Sequence, residues 1–318
     1  MDTPLVRIDA AKFQKQLGEL AETVCQKVLR EGPGLLPGVP KYVCFDMHVL
    51  IRQVMRTYDL FFFINADERV KNDPFYRLHY SAVILPLIRN MIDCLYNVTA
   101  ILQNPGANGP WYRKSGYKNM IRALEEDEDR YGGRPEWDEW LQRGHQFLNF
   151  EIRKQSFDLS EVLSTPTWPT LGRYLRPKKG VPPTPHQDFL RLLTYGPWRE
   201  YSAMAHGGVE GLARVGLYYI TDSLLHEQRD EFEAHHPKLL FMHISRAAAM
   251  LLCIVTEAQA YFRFDGARIN ERICEVWEVL KPGFEVKELY DRRYAQLMNE
   301  KGISAGGTRE AGARGTRS

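Results

Sequence analysis

The stretch from Asp73 to Leu102, DPFYRLHYSAVILPLIRNMIDCLYNVTAIL, limits the possible folds more than any other part of the chain. Asp73-Pro74 reads as an N-cap followed by proline at the first helical position, where the missing N–H costs nothing. Beyond it, Leu87, Met91, Leu95 and Val98 recur at threes and fours, the period of a helix face. A helix of this length crosses a whole molecule, so its apolar sides must be buried against other long helices. Pro86 lies inside it and predicts a kink or a division, because its ring clashes with the preceding turn.

The rest of the chain supplies such partners. Phe13, Leu17, Leu20, Val24 and Val28 mark an amphipathic helix over Ile8 to Arg30, ended by the loop EGPGLLPGVP. A second helix runs from Asp46 to about Asn65 through Val49, Val54, Tyr58, Phe61 and Phe62, and the run Phe61-Phe62-Phe63 predicts burial on more than one side. QNPGANGPWYRKSG reads as a loop on its glycines and prolines, followed by a short helix from Tyr117 to Glu128. Pro135 to Leu163, Gln187 to Thr194, Trp198 to about Leu225, Pro237 to Phe264, Arg268 to Leu280 and Glu285 to Glu300 all carry helical patterns. No alternating strand pattern and no fixed repeat occurs. The expected fold is all-α, an elongated helical bundle with accessory helices. It forms a single helical domain over 1–301, in which the proline-rich stretch 164–185 is inserted as an ordered excursion or a mobile lid. The segment 302–318 is low in bulky apolar residues and reads as a disordered tail.

Charge bounds the partners. The 318 residues carry 42 Lys and Arg against 40 Asp and Glu, a net +2 that the tail alone supplies, so the body is close to neutral. That argues against a strongly basic nucleic-acid surface, though not against a local patch. The five cysteines are scattered, odd in number and without a CxxC pair, which fits buried thiols in a reducing compartment rather than a zinc site or disulfides. MDTPLVRIDAAKFQKQ lacks the apolar centre of a signal peptide, and the greasiest stretches are too short or too charged to span a bilayer. A cytoplasmic protein without a membrane partner is expected.

Chemistry concentrates in WREYSAMAHGGVEGLARVG, from Trp198 to Gly216. On a helix, Ser202 and His206 lie one turn apart, and Arg199 and His206 share a face to within about 20°. Ala203, Gly207 and Gly211 form a stripe of small residues suited to a close helix crossing. Arg199, Tyr201, Ser202 and His206 allow two readings. In the first, His206 moves a proton at a ribose hydroxyl while Arg199 clamps phosphate, which cleaves RNA without metal. In the second, Ser202 bonds back to the helix, Arg199 pairs with a carboxylate such as Asp93 or Glu210, and His206 holds a buried network. A serine–histidine pair alone lacks the orienting acid and oxyanion site of a triad hydrolase.

Arg89 and Asp93, four apart on the long helix, form the obvious internal ion pair; packed against the later helix they become phosphate or ligand contacts, with Asn90 and Asn97 adding amides. His48, His79, His235 and His236 read as ordinary local histidines, and His243 and Arg246 as an isolated pair. No nucleotide-loop, dinucleotide or metalloprotease motif occurs, and neither a metal site nor a cofactor is expected.

RNMID at Arg89 to Asp93 on a long apolar helix, with YSAMAHG at Tyr201 to Gly207 on a later one, resembles a bacterial family of helical proteins of unknown function. That family is grouped with the HEPN-like superfamily (higher eukaryote and prokaryote nucleotide-binding), and the resemblance spans roughly Phe75 to Phe264. Its members share an Arg-x3-Glu element and a Tyr/Ser element followed by His; here the acid is Asp93. Many HEPN-like proteins are metal-independent RNases of toxin–antitoxin, phage-defence or CRISPR settings, using Arg-x4-6-His in a dimer that joins two such motifs. Arg199 and His206 fit that spacing, although Glu200 stands where Asn, Asp or His is commoner. Other members are inactive scaffolds or substrate-binding modules. The resemblance thus implies a HEPN-like bundle and a homodimer, with RNA or a small ligand as partner. The expected function is a non-catalytic binding or scaffold protein with a buried Arg/Asp/Ser/His network; the alternative is an RNase using Arg199 and His206.

Overall fold

Four long helices bury their apolar faces against one another and make the core. The computed structural model describes residues 10–72, 74–177, 180–194, 198–205, 226–265 and 267–303. In chain order the first half holds α1 (Ala10–Arg30), α2 (Gly32–Leu35), α3 (Lys41–Ala66), α4 (Glu68–Asn72), α5 (Pro74–Gln103), α6 (Pro105–Tyr131) and α7 (Pro135–Lys154). After these come α8 (Leu159–Ser164), α9 (Leu171–Tyr174), α10 (Pro185–Leu193), α11 (Arg199–Ala205) and α12 (His226–Phe262). The chain closes with α13 (Ala267–Leu280), α14 (Phe284–Leu289), a π-helical turn (Tyr290–Tyr294) and α15 (Ala295–Lys301).

The result is an elongated all-helical bundle with accessory helices and no strand among the described residues. No helix among them is long and apolar enough to cross a membrane. Helices α1, α3, α5 and α12 pack on one another, with α11 laid on α5 and α13 against α1 and α12. Ile88, Met91, Ile92, Leu95 and Val98 of α5 meet Val54 and Tyr58 of α3 and the Ala247–Val255 run of α12 in one continuous core. A second, smaller core joins Tyr117 and Leu124 of α6, Leu141, Leu148 and Ile152 of α7, and Val162 of α8. Here α6 and α7 form a hairpin whose outer helix packs chiefly on α6.

Several expectations need correction. QNPGANGPWYRKSG is not a loop: apart from Gln103 and Asn104 it lies wholly within α6, a helix of 27 residues. Asn104 caps it by accepting from the Ala107 N–H at 3.3 Å, and Pro105 takes the first turn, so the prolines start the helix rather than break it. Gly109 is there for packing, since a Cβ at this position would sit 2.5 Å from a γ-methyl of Val43 on α3. Pro86 does not divide α5, which runs 30 residues through it. Pro237 lies inside α12 rather than at its start. Phe61 is buried but Phe63 is exposed, so the phenylalanine run turns only one side to the core.

The described part of the proline-rich stretch carries a short helix of its own and packs on the bundle. Leu171 and Leu175 enter the main core, and Trp168, Tyr174, Tyr96, Trp111 and Tyr112 form an aromatic cluster under it. The Trp111 indole donates to the Pro166 carbonyl at 2.7 Å, and the Tyr96 hydroxyl to that of Pro169 at 2.8 Å. Gly302 and Ile303, the first two residues of the expected tail, belong to the end of α15; the rest of that stretch lies outside the described residues. Gly302 takes the left-handed conformation (φ 68°) that ends α15, and the Ile303 N–H returns to the Met298 carbonyl at 2.8 Å. Ile303 is buried, which ties the end of the helix into the core.

Candidate functional site

Helix α5 is apolar almost all round, which makes its polar line informative. Arg89, Asp93 and Asn97 recur every four residues and therefore lie along one edge. Two tryptophans from distant segments dock on that edge. The Trp198 indole N–H donates to Asp93 Oδ1 at 3.1 Å, and the Trp168 indole N–H donates to Asn97 Oδ1 at 3.0 Å. Arg89 covers the Trp198 ring, its guanidinium carbon 5.5 Å from the ring centre, a cation–π contact. Its Nε stands 3.8 Å from Asp93 Oδ2, an ion pair too long to be a hydrogen bond. Burial raises the Asp93 carboxyl above the ordinary aspartate range, and the Trp198 indole and the Arg89 charge oppose that rise. Asn90 faces outward, its amide oxygen 4.0 Å from the Cys94 thiol and off the polar line.

One turn beyond Trp198, Tyr201 is 0% exposed at the crossing of α11 with the bundle. Its hydroxyl lies 2.9 Å from His243 Nδ1 and accepts from Arg246 Nη1 at 2.6 Å. A phenol both donates and accepts, so the one hydroxyl joins both neighbours: it accepts from Arg246 and shares a hydrogen bond with His243 Nδ1. His243 and Arg246 stand at i and i+3 on α12, on one face of it, and both are buried. The Arg246 guanidinium also lies over the Tyr201 ring at 5.6 Å.

The expected residues are thus divided. Arg89 and Asp93 meet Trp198, at the head of the α11 helix that packs on α5, while Tyr201 is buried against His243 and Arg246 of α12 and Ser202 is buried beside it in sequence. Arg199 is exposed, and a helix turns it away from Tyr201, two positions on. Its expected pairing with Asp93 does not form: the partners of Asp93 are Trp198 and Arg89. Ser202 does not bond back to its helix. Its Oγ is buried without a hydrogen-bond partner, as is Arg89 Nε, which leaves two polar atoms unused near the α5–α11 contact. His206, the small-residue positions Gly207 and Gly211, and Glu210 lie outside the described residues.

Sequence reading passed over Trp198, His243 and Arg246. Trp198 heads the stretch already singled out, and an indole needs an acceptor when buried, which was the available signal. For His243 and Arg246 the only signal was a basic pair set in the apolar helix face that precedes Ala247-Ala248-Ala249. Among the described residues no three His, Cys, Asp or Glu side chains are grouped as a metal ion would require. No family model, curated protein or solved structure matches this chain.

Proposed function

We propose that this is a non-catalytic helical binding or scaffold protein whose polar side chains fix how α11 and α12 cross the long helix α5. The observation that carries the reading is the Tyr201 hydroxyl, fully buried and held between His243 and Arg246. The hydroxyl is thereby used on protein groups at a fully buried position. Asp93 is committed likewise, to the Trp198 indole and to Arg89. The partly unused atoms, Arg89 Nε and Ser202 Oγ, mark where a small polar ligand or a water would be held between α5 and α11. The HEPN-like assignment belongs to the same proposal, as does a cytoplasmic location.

A second reading is favoured by one observation, the exposure of Arg199, which leaves its guanidinium available to phosphate. In it, Arg199 and His206 cleave RNA without metal, in a defence or toxin–antitoxin setting. Incubating the full chain with single-stranded and structured RNA in chelator separates the two. The scaffold reading expects no cleavage above a buffer control. Cleavage that is lost in both Arg199→Ala and His206→Ala proteins, with melting unchanged, would replace it by the RNase reading.

A further inference from the structure

Helix α7 carries two apolar faces, and only one of them is used. Leu141, Leu148 and Ile152 are buried against α6 and α8. At about 100° per residue, Trp140, Phe147 and Phe150 fall roughly 140° round the helix from that face, and these large rings are 50%, 53% and 62% exposed. Three exposed aromatics on one stripe, rimmed by charge, are the mark of an interaction surface rather than of ordinary scattered exposure.

The order of residues along the stripe says what covers it. Within an arc of about 80° lie Glu136, Trp140, Arg143, Phe147, Phe150 and Lys154, in that order. Glu136 and Lys154 stand nine residues to either side of position 145, Trp140 and Phe150 five, and Arg143 and Phe147 two. Laid antiparallel on a second copy of itself about that position, the stripe meets its complement at every step. Glu136 meets Lys154, Trp140 meets Phe150, and Arg143 meets the ring of Phe147. A two-fold interface needs this property, since residue i must suit residue j and j must suit i. The charged groups are placed to take part. Arg143 is already turned along the helix by its ion pair with Glu139, both being about three-quarters exposed, and Lys154 already lies 5.7 Å over the Phe150 ring.

We infer that α7 is a homodimer interface, in which two copies of this chain pair antiparallel through Trp140, Phe147 and Phe150 with Glu136–Lys154 contacts at both ends. The surface belongs to α7 alone and uses no residue of the α5–α11 site, so the fate of one reading does not decide the other.

Sedimentation of the full chain over a concentration series tests it. The wild-type chain is expected to dimerise. Phe147→Lys puts a cation opposite Arg143 of the second copy and empties an aromatic anchor, and should weaken the dimer by about thirtyfold or more. Glu136→Lys and Lys154→Glu each create two like-charge pairs per dimer and weaken it, whereas both reversals in one chain restore it. All of these positions are exposed, and unchanged helical circular dichroism checks that the variants stay folded. A wild-type chain that sediments as a monomer throughout, a dimer indifferent to Phe147→Lys, or a double reversal no tighter than the single ones would overturn the inference.

Discussion

Removing one oxygen from Tyr201 tests the central claim about the site. Tyr201→Phe keeps the ring, which is fully buried, and deletes the hydroxyl between His243 Nδ1 at 2.9 Å and Arg246 Nη1 at 2.6 Å. A hydrogen bond to a charged group contributes about 1.5–3 kcal/mol and one between neutral groups about 1 kcal/mol. The two together put the loss at about 2.5–4 kcal/mol. Arg246→Met removes the charge and keeps the length of the side chain. If the hydroxyl acts chiefly through Arg246, the double variant costs less than the sum of the two single ones, by about 1.5–3 kcal/mol of coupling. Urea unfolding followed by circular dichroism gives all four corners of the cycle, provided the slopes agree. A Tyr201→Phe loss below about 0.5 kcal/mol, or additivity of the pair, would refute the claim that this contact sets the crossing.

Two further outcomes follow from buried neighbours elsewhere. Gly109→Ala should destabilise by about 1–3 kcal/mol despite alanine's better helix propensity, because the new methyl meets both γ-methyls of Val43, and Val43→Ala in the same chain should relieve part of that cost; urea unfolding reads both. His186 is buried, with Nδ1 3.2 Å from the Tyr174 hydroxyl and Nε2 unpartnered; burial, aided by the Arg293 charge, lowers its pKa from 6.5 to about 3. Between those values the unfolded chain takes up a proton at this ring that the folded chain refuses, so stability falls as the pH falls, by up to about 1.4 kcal/mol per unit. His186→Phe should flatten the pH dependence of urea stability across that window, and an unchanged slope would mean that the ring is protonated in the fold.

The bundle was legible because a helix writes its burial into its spacing. Leu17, Leu20, Val24 and Val28, or Met91, Leu95 and Val98, announce both the helix and the side it buries, and all seven side chains are in the main core. What misled was punctuation. Glycine and proline usually mark turns, yet in α6 the proline after Asn104 sits where a helix can begin, and Gly109 answers to a valine 66 positions away in sequence. The same holds at the other end of the chain. Gly302 was read as the first residue of a featureless tail, when its left-handed turn is the cap that returns Ile303 to the core. In both places the glycine is explained by what it lets approach, and that neighbour is invisible from local composition.

The site divides along the same line. Arg89 and Asp93 could be named as neighbours because one helix turn joins them, and Tyr201 and Ser202 stood out by crowding. Their actual partners come from far along the chain: Trp198 is 105 residues from Asp93, and His243 and Arg246 are 42 and 45 residues from Tyr201. Spacing within one helix carries no information about such contacts; burial does. A phenol, an imidazole and a guanidinium that enter an apolar core need hydrogen-bond partners there, since a buried polar group left unpaired is costly. That requirement makes the crossing of α11 and α12 specific. The Tyr201 hydroxyl, which reaches His243 and Arg246 one turn apart on α12, ties α11 to that turn.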